Sequence, residues 1–160
     1  MKIKLKDTVT NELINAQILP AIKNELPSKK EGWNFNWSEV YAQEGKIYKV
    51  IIEEKPEEIQ GIVKFSIHNN EMLYMENLEL APHNIGSKGR YDYIAGCLIA
   101  YCCKLSHSFG KGNYSDIVVF DSKTVLINFY KTKYGATLLF GQRMCIYSEA
   151  GQNLISQYLK

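Results

Sequence analysis

Between Lys46 and Pro82 the chain carries three consecutive runs that suit pleated strands far better than helices. "KIYKVIIEE" is dense in Ile, Val and Tyr. "EIQGIVKFSIHN" sets Ile62, Lys64 and Ser66 against Val63, Phe65 and Ile67, and "EMLYMENLELAP" does much the same. A period of two sends successive side chains to opposite faces of a sheet. His68 to Glu71 supplies turn residues between the second and third runs, so these two are predicted to form a hairpin and all three an antiparallel meander. A meander in the middle of a chain needs its faces covered by whatever flanks it.

The flanks supply alternating elements. Lys2 to Leu5 reads as a strand. In "TVTNELINAQILPAIKNEL", Leu13, Ile14, Ile18, Ile22 and Leu26 fall at helical spacing behind a polar start at Thr10, and Pro20 should kink or restart that helix. A loop with Trp33 and Trp37 follows; the two rings either plug the edge of the core or line a substrate cleft. After the meander, Ile94, Cys97, Leu98, Tyr101, Cys102 and Leu105 make one helical stripe, ended by Gly110 and Gly112. "YSDIVVFD" reads as a buried strand. "SKTVLINFYKTKYG" reads as an amphipathic helix capped by Asp121 or Ser122 and stopped at Gly135. "ATLLFGQRMCIYS" reads as a long strand broken by Gly141, and the last residues as a helix capped by Ser148. The order is β-α, meander, then α-β-α-β-α, without repeats or a linker. It predicts one domain over residues 1–160, of α/β (α+β) class, with helices covering a mixed sheet.

Bulk properties exclude several classes. A net charge of +2 gives no case for nucleic acid. No stretch approaches the ~20 apolar residues of a membrane span. "MKIKLKDTVT" has no long apolar run, so the expectation is a cytoplasmic protein with no membrane partner. Cys97, Cys102, Cys103 and Cys145 form no C-x-x-C pair and read as buried, reduced thiols. His68, His83 and His107 match no zinc spacing, so no metal is expected.

The stretch "NIGSKGRYDYIAGCLIAYCCKLS" raises the functional question. A helix start offers unsatisfied N–H groups and partial positive charge, which together attract anions. Lys88 and Arg90 would add charge, and Gly86 and Gly89 would let the loop bend. Such a cradle suits a pyrophosphate, although ordinary connections share the composition. The chain has no G-x-x-x-x-G-K-[ST] and no G-x-G-x-x-G after a strand, so neither a P-loop nor a dinucleotide fingerprint is present.

Order and motif together resemble the GNAT acetyltransferase superfamily. "LELAP" (Leu78 to Pro82) is similar to its strand end, and Arg90-Tyr91-Asp92-Tyr93-Ile94-Ala95 to its Q/R-x-x-G-x-G/A loop, with Tyr93 where the family has glycine. A register ending on Gly96 breaks the pattern twice. "FDSKTVLINFYKTKYGATLLFGQRM" resembles the family's tyrosine-bearing helix that ends at a glycine before a strand; Tyr130 matches the tyrosine, and Lys123 stands where asparagine is usual. The resemblance implies a GNAT-like domain with a central, largely antiparallel sheet of about six to seven strands and helices on both faces. It implies acetyl-CoA as co-substrate, held between two splayed parallel strands, "NLELAP" and "SDIVVF". The amides of Tyr91, Asp92, Tyr93, Ile94, Ala95 and Gly96 would hold the pyrophosphate, with Arg90 and Lys123 nearby, and the backbone at Leu78 to Leu80 would pair with the pantetheine arm.

The implied reaction is acetyl transfer to the amine of a small molecule or a protein. The amine must lose a proton and the thiolate must be stabilised or protonated. Glu76 and Glu79, three apart on one strand, should face opposite sides; Glu79 is the candidate base, and the alternative for either is a solvated carboxylate. Tyr130 is the candidate acid for sulfur, or else a core aromatic. Arg143 is either a surface ion-pair partner or a reader of an anionic acceptor. The rival reading is a catalytically impaired GNAT-like module that binds CoA or a partner, which Tyr93 and Lys123 favour somewhat. Toxin-type acetyltransferases acting on aminoacyl-tRNA have similar size, but +2 provides no basic stripe for RNA. A homodimer is compatible with all of these.

Overall fold

A computed structural model describes all residues, Met1–Lys160. In chain order the elements are β1 (Lys2–Asp7), β2 (Leu13–Pro20), α1 (Trp37–Tyr41), β3 (Lys46–Ile52), β4 (Lys55–His68), β5 (Met72–Leu80), β6 (Tyr91–Asp92), α2 (Ile94–Phe109), β7 (Val118–Asp121), α3 (Ile127–Tyr134), β8 (Thr137–Phe140), β9 (Arg143–Ile146) and α4 (Ser148–Tyr158). The nine strands form one sheet in the order β6-β1-β2-β3-β4-β5-β7-β9-β8. All neighbours are antiparallel except β5 and β7. The meander is present as β3, β4 and β5.

Three expectations change. The helix expected over Thr10–Leu26 is strand β2 followed by a 3-10 turn at Lys23–Glu25. Leu13, Ile14, Ile18 and Ile22 fit a helical period by coincidence. The side chains that turn inward are Ile14, Ala16 and Ile18, at a period of two, and Ala16 and Ile18 are fully buried between β1 and β3. Pro20 is the last residue of its strand, where a missing N–H is tolerated. The long strand broken at Gly141 is a hairpin, β8 and β9, with Gly141 at φ +54 in the turn. Its two strands and the two-residue β6 carry the sheet beyond six or seven.

Helices lie on both faces, unequally. A core of 26 buried residues fills one face, where α2 packs on β4 and β5 and α4 packs on α2. On the other face Trp33, Trp37 and Val40 close a small core over Ala21, Ile47, Ile62 and Ala81. Trp37, with no exposed surface, seals this second face, whereas Trp33 also lines a cavity of about 450 Å³. All four cysteines are buried thiols, and burial pushes the Cys97 and Cys103 thiols up to about 12.

β5 carries a bulge. Phe65 opposes Met75 while Lys64 opposes Asn77, so Glu76 is the extra residue. An extra residue shifts the alternation by one. Glu76 and Glu79 therefore share the face away from α2, against the simple three-residue expectation: Glu76 meets Lys64 and Ser66 there, and Glu79 lies opposite Ile62.

Candidate active site

The parallel pair sets the site. β5 and β7 are joined only at Leu73–Val118 and Tyr74–Val119. Beyond that point β7 pairs with β9 alone, and β5 from Met75 to Leu80 has no strand on its β7 side. The two strands splay toward their carboxyl ends, where open α/β sheets place their ligands. The wedge leaves the backbone edge at Leu78 and Leu80 able to pair with an extended amide-bearing ligand.

The loop after β5 is held, not floppy. Asn84, buried, donates from Nδ2 to the Gln60 carbonyl at 3.1 Å and to Gln60 Oε1 at 3.0 Å, while its own Oδ1 accepts the Tyr91 amide at 3.0 Å. His83 Nε2 lies 2.8 Å from the same Gln60 oxygen. The Arg90 amide donates to the His83 carbonyl at 2.9 Å, and the Thr8 hydroxyl to the Gly89 carbonyl at 2.8 Å. Gly89 lies so close to Asn84 that a Cβ would stand 2.6 Å from the Asn84 carbonyl oxygen. Its bareness serves close packing, whereas Gly86, at φ +79, supplies the turn. Asn84 and Gln60 are the organising side chains, and no local sequence pattern marks either one.

That loop delivers the start of α2. Tyr93 caps the helix at φ +78, a left-handed conformation that a non-glycine residue adopts only under constraint. The first intrahelical bond runs from the Cys97 amide to the Tyr93 carbonyl at 2.9 Å. The amides of Ile94, Ala95 and Gly96 have no partner within the chain. Three adjacent unpaired N–H donors open this 16-residue helix, an arrangement that attracts anions. Three of the other expected donors are occupied. Tyr91 gives its amide to Asn84, and Tyr93 gives its amide to the Asp92 carboxylate at 2.7 Å. Arg90 pairs with Asp7 and lies over the Tyr91 ring at 4.8 Å. That pairing raises the Arg90 pKa and holds the Asp7 carboxyl down to about 2. Beside the helix start is a cavity of about 270 Å³ lined by Lys4, Leu13, Tyr93, Gln157, Tyr158 and Lys160.

Glu79 is 6% exposed and has no cation beside it. Its carboxylate accepts the amide of Asn34, the amide of Phe35 at 3.2 Å and the Trp37 indole N–H at 2.9 Å. Glu76, more open, accepts the Ser66 hydroxyl at 2.5 Å and pairs with the buried Lys64 at 2.9 Å; these donors hold its pKa down against the upward pull of burial. Tyr130 of α3 packs 5.0 Å from the Phe120 ring and against Tyr134, and burial raises its pKa. Its hydroxyl makes no hydrogen bond within the chain. Lys123 is exposed at the cap of the 3-10 turn before α3. Arg143 grips Asp121, with Nε at 2.8 Å, and covers the Tyr74 ring.

Solved structures share this architecture. The toxin–antitoxin complex AtaTR bound with acetyl-CoA matches with a TM-score of 0.61 at 10% identity, over 88% of this chain and 98% of that one. The fold is that of the GNAT acetyltransferases. The spermidine/spermine N-acetyltransferase SpeG from Vibrio cholerae matches with a TM-score of 0.57 at 12% identity, over 86% and 96% of the two chains. A GNAT family acetyltransferase from Elizabethkingia anophelis with acetyl-CoA bound matches with 0.52 at 19% identity, over 78% of each. No protein-family model and no curated protein matches the sequence.

Tyr93 has the positive φ that glycine adopts freely. Its ring lies 6.0 Å from that of Tyr158. The topology brings the β5 edge at Leu78 and Leu80, the free amides of Ile94 to Gly96 and the Tyr130 helix to one margin of the sheet. It places Glu79 on the far face, under the tryptophan segment.

Proposed function

We propose that the protein is an acetyl-CoA-dependent N-acetyltransferase that acts on the amine of a small molecule or a protein. The supporting observation is the wedge between β5 and β7 with three unpartnered amides beside it. In this reading the Ile94, Ala95 and Gly96 amides take the pyrophosphate. The β5 edge at Leu78 and Leu80 pairs with the pantetheine amides, which aims the thioester at the floor of the wedge. The aromatic, lysine-flanked cavity beside α2 accommodates the nucleotide end. Asp92 stands at the same helix start and opposes phosphate, so affinity is expected to be moderate.

Acetyl-CoA supplies the activated acyl group. The chain's residues orient it and move protons. Tyr130, with a free hydroxyl and burial that favours the protonated phenol, gives its proton to the departing sulfur. Glu79 can take a proton only by giving up bonds to the tryptophan segment; Glu76, on the same face and exposed, is the proposed acceptor of the amine's proton, its basicity reduced by its bonds to Ser66 and Lys64.

Calorimetry with acetyl-CoA and CoA tests the reading. Ala95→Asp places a carboxylate among the free amides at a position that tolerates acids, so the helix should persist while affinity falls by about tenfold or more. Absence of cofactor binding by the unaltered protein would end the proposal. Tyr130→Phe should leave affinity within about twofold and slow transfer by about a hundredfold. The alternative, a module that binds CoA without transfer, is favoured by Tyr93 and Asp92 at the cradle; it predicts binding to the unaltered protein and no rate for Tyr130→Phe to lower.

A further inference from the structure

Glu76 has a role in the proposed transfer, but its cationic partner has none. Lys64 of β4 is 1% exposed, a rare place for an ammonium group. Its Nζ lies 2.9 Å from Glu76 Oε2 as an ion pair, yet off the line of a hydrogen bond, and it meets no other acceptor. Gly45 closes the site from outside: a Cβ there would stand 2.6 Å from Lys64 Cε, so the chain runs directly over the lysine stem. Sealed in this way, the ammonium can touch no ligand and acts only through Glu76. Stability does not explain such a group. Apolar side chains in place of a buried ion pair are often neutral or stabilising, and here N–H donors are left over as well.

Its location does explain it. β5 last pairs with β7 at Tyr74, and Glu76 stands two residues further on, about 7 Å along the strand. The bulge that makes Glu76 the extra residue therefore lies where the two strands part, and bulges re-aim side chains beside active sites. Ser66 holds one oxygen of the carboxylate at 2.5 Å, and Lys64 faces the other.

We propose that Lys64 is a positioning residue for acetyl transfer, its sealed ammonium holding the Glu76 carboxylate at the apex of the wedge to receive the amine's proton. This rests on the transferase reading above. The amine nitrogen bonds to the thioester carbonyl carbon, and the carbon–sulfur bond breaks with its electron pair leaving on sulfur. The amine's proton passes to Glu76 while Tyr130 protonates the sulfur, and exchange with solvent resets both groups. Glu76 must therefore be ionised before each turnover. Burial pulls its carboxyl up, while Ser66, Lys64 and His68, whose Nε2 lies 3.8 Å away, bring it below the ordinary value. Asp121 and Arg143, further along this face, are engaged with each other and with Tyr74, and the loop above meets Lys64 through Gly45. Lys64 is thus the permanent cation at this carboxylate.

Lys64→Met keeps the shape and removes the charge. Melting should be unchanged or higher, and CoA affinity unchanged, because Lys64 faces away from α2. The Glu76 carboxyl, followed by carbon-13 NMR in the resting protein, should titrate about 1–2 pH units higher. The acid limb of kcat/KM for CoA release from acetyl-CoA, with n-butylamine as acceptor, should move up by the same amount. Lys64→Arg should restore both curves. A merely structural lysine would alter melting and leave both curves in place. Superposition of either Lys64→Met curve on that of the unaltered protein would overturn the proposal while the transferase reading stands. Absence of CoA release by the unaltered protein would end both.

Discussion

Gly96→Ala is expected to lower the melting temperature by roughly 5–10 °C, although alanine is the better helix former. Gly96 lies in the first turn of α2, and the Tyr158 ring of α4 occupies the space where its side chain would be. A Cβ there would stand 2.3 Å from Tyr158 Cε1 and 2.4 Å from Cζ, far inside contact distance. The obstacle is a ring buried in the main core, not the loose end of a surface chain. Either the ring leaves its pocket or α4 shifts from α2. Overpacking of this kind costs about 1–3 kcal/mol, and losing an aromatic anchor about 3–5 kcal/mol. The gain in helix propensity, about 1 kcal/mol, offsets only part. A double-mutant cycle isolates the contact: in a Tyr158→Ala background, Gly96→Ala should become neutral or stabilising. A rise in melting temperature for the single variant would show that the two helices do not meet as described. The same contact bears on function. Gly96 carries one of the three free amides, so the shape of the cradle depends on the last turn of the chain. Gly96→Asp would thus confound repulsion of phosphate with loss of the helix contact, which is why Ala95→Asp is the cleaner probe.

How legible these features were depended on how local their causes are. The meander showed itself because alternation in Val63, Phe65 and Ile67 is written along one strand. The α2 stripe showed itself for the same reason. β2 misled because an eight-residue apolar segment fits both periods, and only its neighbours β1 and β3 decide between them. The face of Glu79 was hidden by one bulge residue, since a single insertion inverts every side chain beyond it. At the cradle, the helix start and its glycines pointed to a phosphate loop, but composition implied freedom where the structure has a clamp. Asn84 reaches Gln60 across 24 residues of sequence and Thr8 reaches Gly89 across 81, and no local pattern encodes such partners. Arg90 reads as a ligand for phosphate because its acid, Asp7, lies 83 residues away in the sequence.

Glu79→Ala is expected to loosen the segment from Trp33 to Tyr41 and to destabilise the protein by about 2–4 kcal/mol while CoA affinity changes little. The carboxylate is the common acceptor for two backbone amides and an indole N–H. Alanine removes all three bonds at once and leaves a hole beside a fully buried ring. A buried donor without a partner costs about 1–3 kcal/mol, less where water can enter, and the two amides are only partly buried. Trp37 should therefore emit at longer wavelength as water reaches it, and amides in α1 should exchange faster. Glu79→Gln keeps one acceptor oxygen but turns an NH₂ group toward a donor, so its effect should be intermediate. These readouts separate two roles that activity alone confuses. A catalytic base that happens to be buried would lose turnover on substitution, yet Trp emission, exchange in residues 33–41 and melting would stay as they were. A residue that positions the aromatic wall would change all three in the resting protein, before any acceptor is added. The hydrogen bonds favour the second role, and they join the strand proposed to carry the cofactor to the segment that closes the opposite face.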